Sequence, residues 1–187
     1  MSAAASLREE LDRLRADGLL RDVRVPVDPE YEVAAVAAAA GTSMGLLFHD
    51  VAGRSVAIGT AGGRDLVASS FGVPRGEIAA AFLDAMRAPL TPQTVTDAPV
   101  QEIVLRDDEI DLRRDLPVLT HHEHDAGPYI TTGVAVAESR DRTLRNVSYH
   151  RMQVRSARET GLVVVQRHLA RMIEEFEAVD EPTPVAI

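Results

Sequence analysis

The sequence predicts a small α/β domain followed by a predominantly antiparallel sheet or barrel. Two observations lead there. Strand and helix patterns alternate up to about Pro92, the signature of an α/β unit. Beyond that point period-two runs dominate and only one helix is evident. The composition agrees: 45% hydrophobic residues in a chain of 187 can build a core, and with aromatics at 4% that core rests on Ala, Val, Leu and Ile. The expected boundary puts the first domain at 1–98 and the second at 99–187.

The first element is the clearest. Ser6 and Glu9 match a capping box, Leu7, Leu11 and Leu14 recur at helical spacing, and Gly18 follows as a stop. A short strand through Val23 and Val25 comes next. Asp28-Pro29 reads as a helix cap with proline at the first helical position, opening an Ala-rich helix that ends at Gly41. Gly45–Phe48 and Val56–Ile58 read as buried strands on either side of a turn at Gly53. Helices are expected at Arg64–Phe71 and Gly76–Arg87, the latter stopped before Pro89. The second half reads as strands at Glu102–Leu105, Tyr129–Glu138, Asn146–Val154 and Gly161–Gln166. One helix, His168–Ala178, carries Leu169, Met172, Ile173 and Phe176 on one face. Val185-Ala186-Ile187 reads as the opening of a buried strand whose backbone needs a neighbour, so more chain or another polypeptide is expected to complete it.

Charge and composition exclude several functions. The net charge is -9, with all 20 basic residues Arg and no Lys, so a polyanion such as nucleic acid is not the expected partner. No cysteine is present, which removes thiolate catalysis, disulfides and Cys-based zinc sites. Met1 to Leu7 shows no signal-peptide pattern, and the longest apolar run, Val33 to Ala40, is too short to span a bilayer. A cytoplasmic protein without a membrane partner is expected. No P-loop, G-x-S-x-G or H-E-x-x-H pattern occurs.

Four features carry potential chemistry, each beside a plainer reading. Asn146 and Ser148 share a strand face by the period of two, and His168 opens a helix. An Asn carbonyl and a His nitrogen are half of a divalent-ion site that bridges to phosphate; otherwise they are a satisfied turn Asn and a helix-capping His. Arg151 suits bidentate capture of a carboxylate, or is one solvent-facing Arg among many. His121-His122-Glu123-His124-Asp125 has metal-binding composition and reads more simply as a solvated loop. Thr60-Ala61-Gly62-Gly63-Arg64 is a glycine turn before a helix, either an anion cradle or a purely structural turn.

The order of several blocks resembles the UbiD family. These are Ser6-Leu-Arg-Glu-Glu-Leu, Gly18-Leu-Leu, Val25-Pro-Val-Asp-Pro-Glu-Tyr-Glu32, Leu46-Leu-Phe48, Asp115-Leu-Pro-Val-Leu119 and Asp125-Ala-Gly-Pro-Tyr-Ile-Thr-Thr-Gly133. Asn146-Val-Ser-Tyr-His-Arg-Met-Gln-Val154 and Gly161-Leu-Val-Val-Val-Gln-Arg-His168 complete the set, which covers essentially the whole chain. The resemblance implies an N-terminal α/β domain followed by a flavin-reductase-like split β-barrel, here incomplete, that holds prenylated FMN. It implies Mn2+ (or Mg2+) tying down the cofactor phosphate, with K+ nearby. Asn146 and His168 then match two metal ligands, and Arg151 matches the catalytic arginine that engages the substrate carboxylate. Thr131, Ser148, Arg151 and Gln166 fall at cofactor-binding positions.

The implied activity is non-oxidative, reversible decarboxylation of an α,β-unsaturated or aromatic acid. The family's third metal ligand, its two catalytic glutamates and its phosphate-binding lysine have no match here. The expected partners are therefore the downstream remainder of the same polypeptide or a complementary chain, together with a homo-oligomeric assembly and a small carboxylic acid substrate. Rival readings are a non-catalytic flavin- or partner-binding module and a purely structural piece of an assembly.

Overall fold

The computed structural model describes residues 6–187, so the N-terminal reading over Met1 to Leu7 lies mostly outside the described residues. The chain divides into two compact units, the first ending at Arg106 and the second spanning Asp107–Ile187. The break read from composition, after residue 98, falls a little before this one.

In the first unit, α1 (Leu7–Ala16) is capped by Ser6, whose hydroxyl accepts the Glu9 N–H at 3.2 Å. Gly18 follows at φ 70, where a side chain would be strained. Strand β1 (Leu20–Val23) pairs in parallel with β2 (Gly45–Val51), and the crossover between them carries α2 (Glu32–Ala40). β2 turns back into β3 (Arg54–Ile58) through Ala52 and Gly53. Both turn residues have positive φ, the geometry whose twist matches the flanking strands. The three-stranded sheet and α3 (Arg64–Phe71) enclose Leu14, Leu20 and Leu66, with Leu11, Leu19 and Leu47 packed against them. Phe48, Val33 and Val51 are also fully buried. A turn over Arg75–Glu77 then leads into α4 (Ile78–Arg87).

Two readings of this unit need correction. The Ala-rich helix starts at Glu32, not at Pro29. The Asp28 carboxylate accepts the Glu30 N–H at 2.7 Å, a local turn that competes with helix entry. Tyr31, at φ 68, then separates that turn from the helix. The strand expected over Glu102–Leu105 is absent: Pro99–Gln101 form a single 3-10 turn, and no ladder partner lies beside the residues that follow. Apolar residues without a neighbouring strand edge have nothing to hydrogen-bond, and Val100 and Ile103 stay exposed.

The second unit opens with the short helix α5 (Leu112–Asp115) and is built on an antiparallel sheet of order β6-β5-β4-β7. Its centre is the long pair β4 (Tyr129–Glu138) and β5 (Arg145–Val154). β6 (Thr160–Leu162) flanks β5, and β7 (Val185–Ala186) pairs with Val136 and Ala137 of β4. The terminal apolar run thus finds its ladder partner in β4. β6 is shorter than the expected Gly161–Gln166, because residues after Leu162 leave the ladder. Helix α6 (His168–Glu177) lays Leu169 and Met172 on Ala137, with Leu162, Val164 and Ile173 around them. Alanines at 135 and 137 leave room for this helix on the sheet face.

Candidate active site

Strand alternation sorts the candidate residues of β5. Asn146, Ser148 and His150 line one face and are wired together. The Asn146 amide Nδ2 donates to Ser148 Oγ at 3.0 Å, and Ser148 Oγ lies 2.9 Å from His150 Nε2. With its nitrogen held by Ser148, the Asn146 carbonyl oxygen is turned away from that hydroxyl and is left to accept or to ligate. His168, the first residue of α6, reaches the same place. Asn146 and His168 both line a cavity of about 140 Å3, with Glu175 and the arginines Arg145 and Arg171 beside them. An amide oxygen and an imidazole nitrogen suit a hard or borderline divalent ion, so the donor set fits half of a metal site. Among the described residues no group of three or more His, Asp or Glu is placed to hold a metal alone.

Arg151 is five residues from Asn146 and projects from the other face of the strand. It lines a separate, open cavity of about 500 Å3 with Tyr129, Tyr149, Gln153 and Val163. Its guanidinium stacks over the Tyr129 ring, 4.6 Å from the centroid, and lies 3.5 Å from Asp125. The ladder shifts register between Ile130, opposite Met152, and Gly133, opposite His150. Thr131 and Thr132 together therefore face Arg151 alone, a bulge of the kind that re-aims side chains beside functional sites. Thr131 is thus brought close to Arg151, whereas Gln166 sits exposed in the turn before α6 and lines neither cavity. The geometry joins Asn146 with His168 and Arg151 with Thr131; it does not bring all of them to one cavity.

The remaining two features resolve differently. In the loop 121–125, His124 and Glu123 approach at 3.5 Å on the exposed surface, and no metal cluster forms. Asp125, by contrast, is half-buried and accepts the His122 N–H at 3.1 Å. Burial pushes its carboxyl up, but the bond from His122 and the charge of Arg151 outweigh it, so the carboxyl lies below its ordinary value. Next to it, burial lowers His121, whose Nδ1 is buried without a partner. The glycine turn at Gly62-Gly63 serves structure. A Cβ on Gly63 would collide with the Thr42 carbonyl oxygen, so close backbone approach demands glycine there.

Sequence reasoning missed Asp125 and Tyr129 as neighbours of Arg151. The available signal was the Gly127-Pro128 turn, which folds residues before it back toward the strand after it. Among the described residues no helix is long and apolar enough to cross a membrane.

Comparisons with known proteins bear on both halves. Residues 11–86 match the 3-octaprenyl-4-hydroxybenzoate carboxy-lyase N-terminal domain, and residues 93–187 match its Rift-related domain. The chain is 34% identical over 181 residues to an anhydromevalonate phosphate decarboxylase of Methanosarcina mazei, covering 96% of this chain and 41% of that one. It is 29% identical to a gallate decarboxylase of Lactiplantibacillus plantarum, over 97% of this chain and 41% of the relative. The fold superposes with a TM-score of 0.91 and 37% identity on an evolved dimeric form of HmfF from Pelotomaculum thermopropionicum, a UbiD-class enzyme in complex with prFMN. That match covers 97% of this chain and 43% of the solved one, so the chain spans about two fifths of the length of these relatives. With family-model matches over both halves, the chain belongs to the UbiD family of carboxy-lyases.

Proposed function

We propose that these residues form the front part of a prenylated-FMN-dependent, non-oxidative decarboxylase acting on an α,β-unsaturated or aromatic carboxylic acid. Residues 1–98 are the N-terminal domain, and 99–187 are the first part of a split-barrel cofactor domain. The observation that carries this reading is the shared cavity of Asn146 and His168, two ligands drawn from different elements. Asn146 Oδ1 and a His168 ring nitrogen would be the residues to hold Mn2+ or Mg2+, which would neutralise the cofactor phosphate, with K+ as a further expected ion. A carboxylate from polypeptide outside these residues completes the set, either from the same protein or from a complementary chain in an oligomer.

When bound, the prenylated flavin supplies the electron sink that loss of CO2 from an sp2 carbon needs. Arg151 does the work on the substrate side. Its guanidinium, stacked on Tyr129, presents N–H groups to the substrate carboxylate and orients it before the carbon–carbon bond breaks. Thr131 lies opposite Arg151 at the bulge, and Ser148 holds the Asn146 amide nitrogen, which would leave the amide oxygen for a metal. Gln166, exposed in the turn before α6, would meet the cofactor only as the family resemblance implies.

The test is to produce this chain together with the polypeptide that completes it and a source of prenylated FMN, then record absorbance at about 300–550 nm, metal content and CO2 release from gallate, cinnamate and protocatechuate. Bound flavin with a divalent metal and release from at least one acid is expected. A flavin-free, metal-free protein inert toward all three would sink the proposal, and a flavin-loaded but inert protein would instead favour a non-catalytic binding module.

A further inference from the structure

We infer that Asp125 is a positioning residue that holds the Arg151 guanidinium in its working orientation. The inference rests on the proposed role of Arg151 as the carboxylate-binding group. Three observations meet at this residue. Asp125 is held by its own loop, since its Oδ2 accepts the His122 backbone N–H at 3.1 Å. Its side chain retains only 16% exposure, whereas Arg151 retains 61%. Its Oδ1 lies 3.5 Å from Arg151 Nη2, while the Tyr129 ring supports the guanidinium at 4.6 Å.

A long arginine on an exposed strand face has many rotamers to choose among. Here one nitrogen of its fork lies 3.5 Å from a fixed carboxylate and one face rests on a ring. Arg151 itself lines the open cavity with Tyr149, Gln153 and Val163. The loop that supplies Asp125 contains three histidines, yet its contribution to the site is this one carboxylate.

The carboxylate also competes with a substrate for the same cation, which gives the arrangement a distinctive signature. Removing the charge should strengthen simple anion binding and weaken turnover, because orientation is lost while the positive charge is freed. A side chain that merely supported the fold would weaken both.

The experiment compares wild type, Asp125→Asn, Asp125→Glu and Arg151→Ala. Benzoate affinity is measured by calorimetry on the flavin-free protein. Flavin content and kcat are measured on the loaded protein, with the acid it turns over fastest. Asp125→Asn should bind benzoate about two- to fivefold more tightly, the range an exposed ion pair spans. Its flavin content should be unchanged and its kcat should fall about tenfold or more. Asp125→Glu should recover part of that loss, and Arg151→Ala should abolish benzoate binding.

Unchanged or weaker benzoate binding in Asp125→Asn, or a kcat within about twofold of wild type, would overturn the inference. Benzoate binding that survives Arg151→Ala would overturn it as well. If the wild type takes up no flavin and turns over no acid, the proposed function fails by itself, and the benzoate titration alone still decides the role of Asp125.

Discussion

Asn146 and His168 approach one cavity from β5 and from the start of α6, and both sit where substitution removes a donor with little packing to lose. Asn146→Ala and His168→Ala should therefore lower divalent-metal and flavin content together. His168→Ala should leave thermal stability within about 0.5 kcal/mol, as for surface positions generally. Metal analysis and the flavin spectrum check this, and full occupancy in the His168 variant would contradict the assignment. Asp141 offers a second test, this time of the hairpin loop between β4 and β5. The Ser139 hydroxyl at 2.6 Å, then the Thr143 N–H and hydroxyl, hold its carboxyl down to about 2 from an ordinary 3.8. A depressed carboxylate contributes stability above its unfolded value and loses it as pH falls toward the folded one. Amide protection at Thr143 and Leu144 should hold at pH 5 and fall as the solution is taken below about 4 toward 2. Asp141→Asn should flatten that dependence.

At the scale of elements, the first unit depends on a close approach between the loop after α2 and the start of α3. Gly63, the residue capping α3, leaves no room for a Cβ against the Thr42 carbonyl oxygen. Gly63→Ala should destabilise by about 1–3 kcal/mol, the usual cost of overpacking. Gly76→Ala, in the open turn before α4, meets nothing within 4 Å and should cost little. Denaturant midpoints of the two variants measure the difference, and equal midpoints would show that the loop yields freely. The element ends also show how far local signals reach. Ser6 and Glu9 located the start of α1, and the run Arg64–Phe71 located α3, because caps and periodicity act within a few residues. Pro29 misled because the Asp28 carboxylate bonds to its own loop instead of opening the helix.

The whole molecule consists of two compact units, and the stretch joining α4 to the second unit carries no regular strand or long helix. Trypsin cuts after arginine, and Arg87 and Arg106 are the arginines that bound this stretch. Arg87, exposed at the end of α4, is expected among the first cleavage sites of the native chain, giving two fragments that outlast the rest. Mass spectrometry of a time course reads this directly, and first cuts inside β4 or β5 would contradict the division. The family blocks were legible along the whole chain, since a motif survives as a string wherever the residues sit. Their meeting points were not, because Asn146 and His168 are joined only through the packing of α6 on β4.

The sequence by itself determined the class of each half, the long β4–β5 pair, the amphipathic α6 and the candidate residues Asn146, Arg151 and His168. Those rest on periodicity, caps and motif order, all properties of neighbouring residues. Only the tertiary structure decided that Glu102–Leu105 would not be a strand, because strand formation requires a partner edge. It also decided that Asn146 and Arg151 take opposite faces of β5, that a bulge sets Thr131 against Arg151, and that Asp125 closes on the guanidinium. Register and loop return are contacts between distant residues, and no local pattern in the chain encodes which of them will meet.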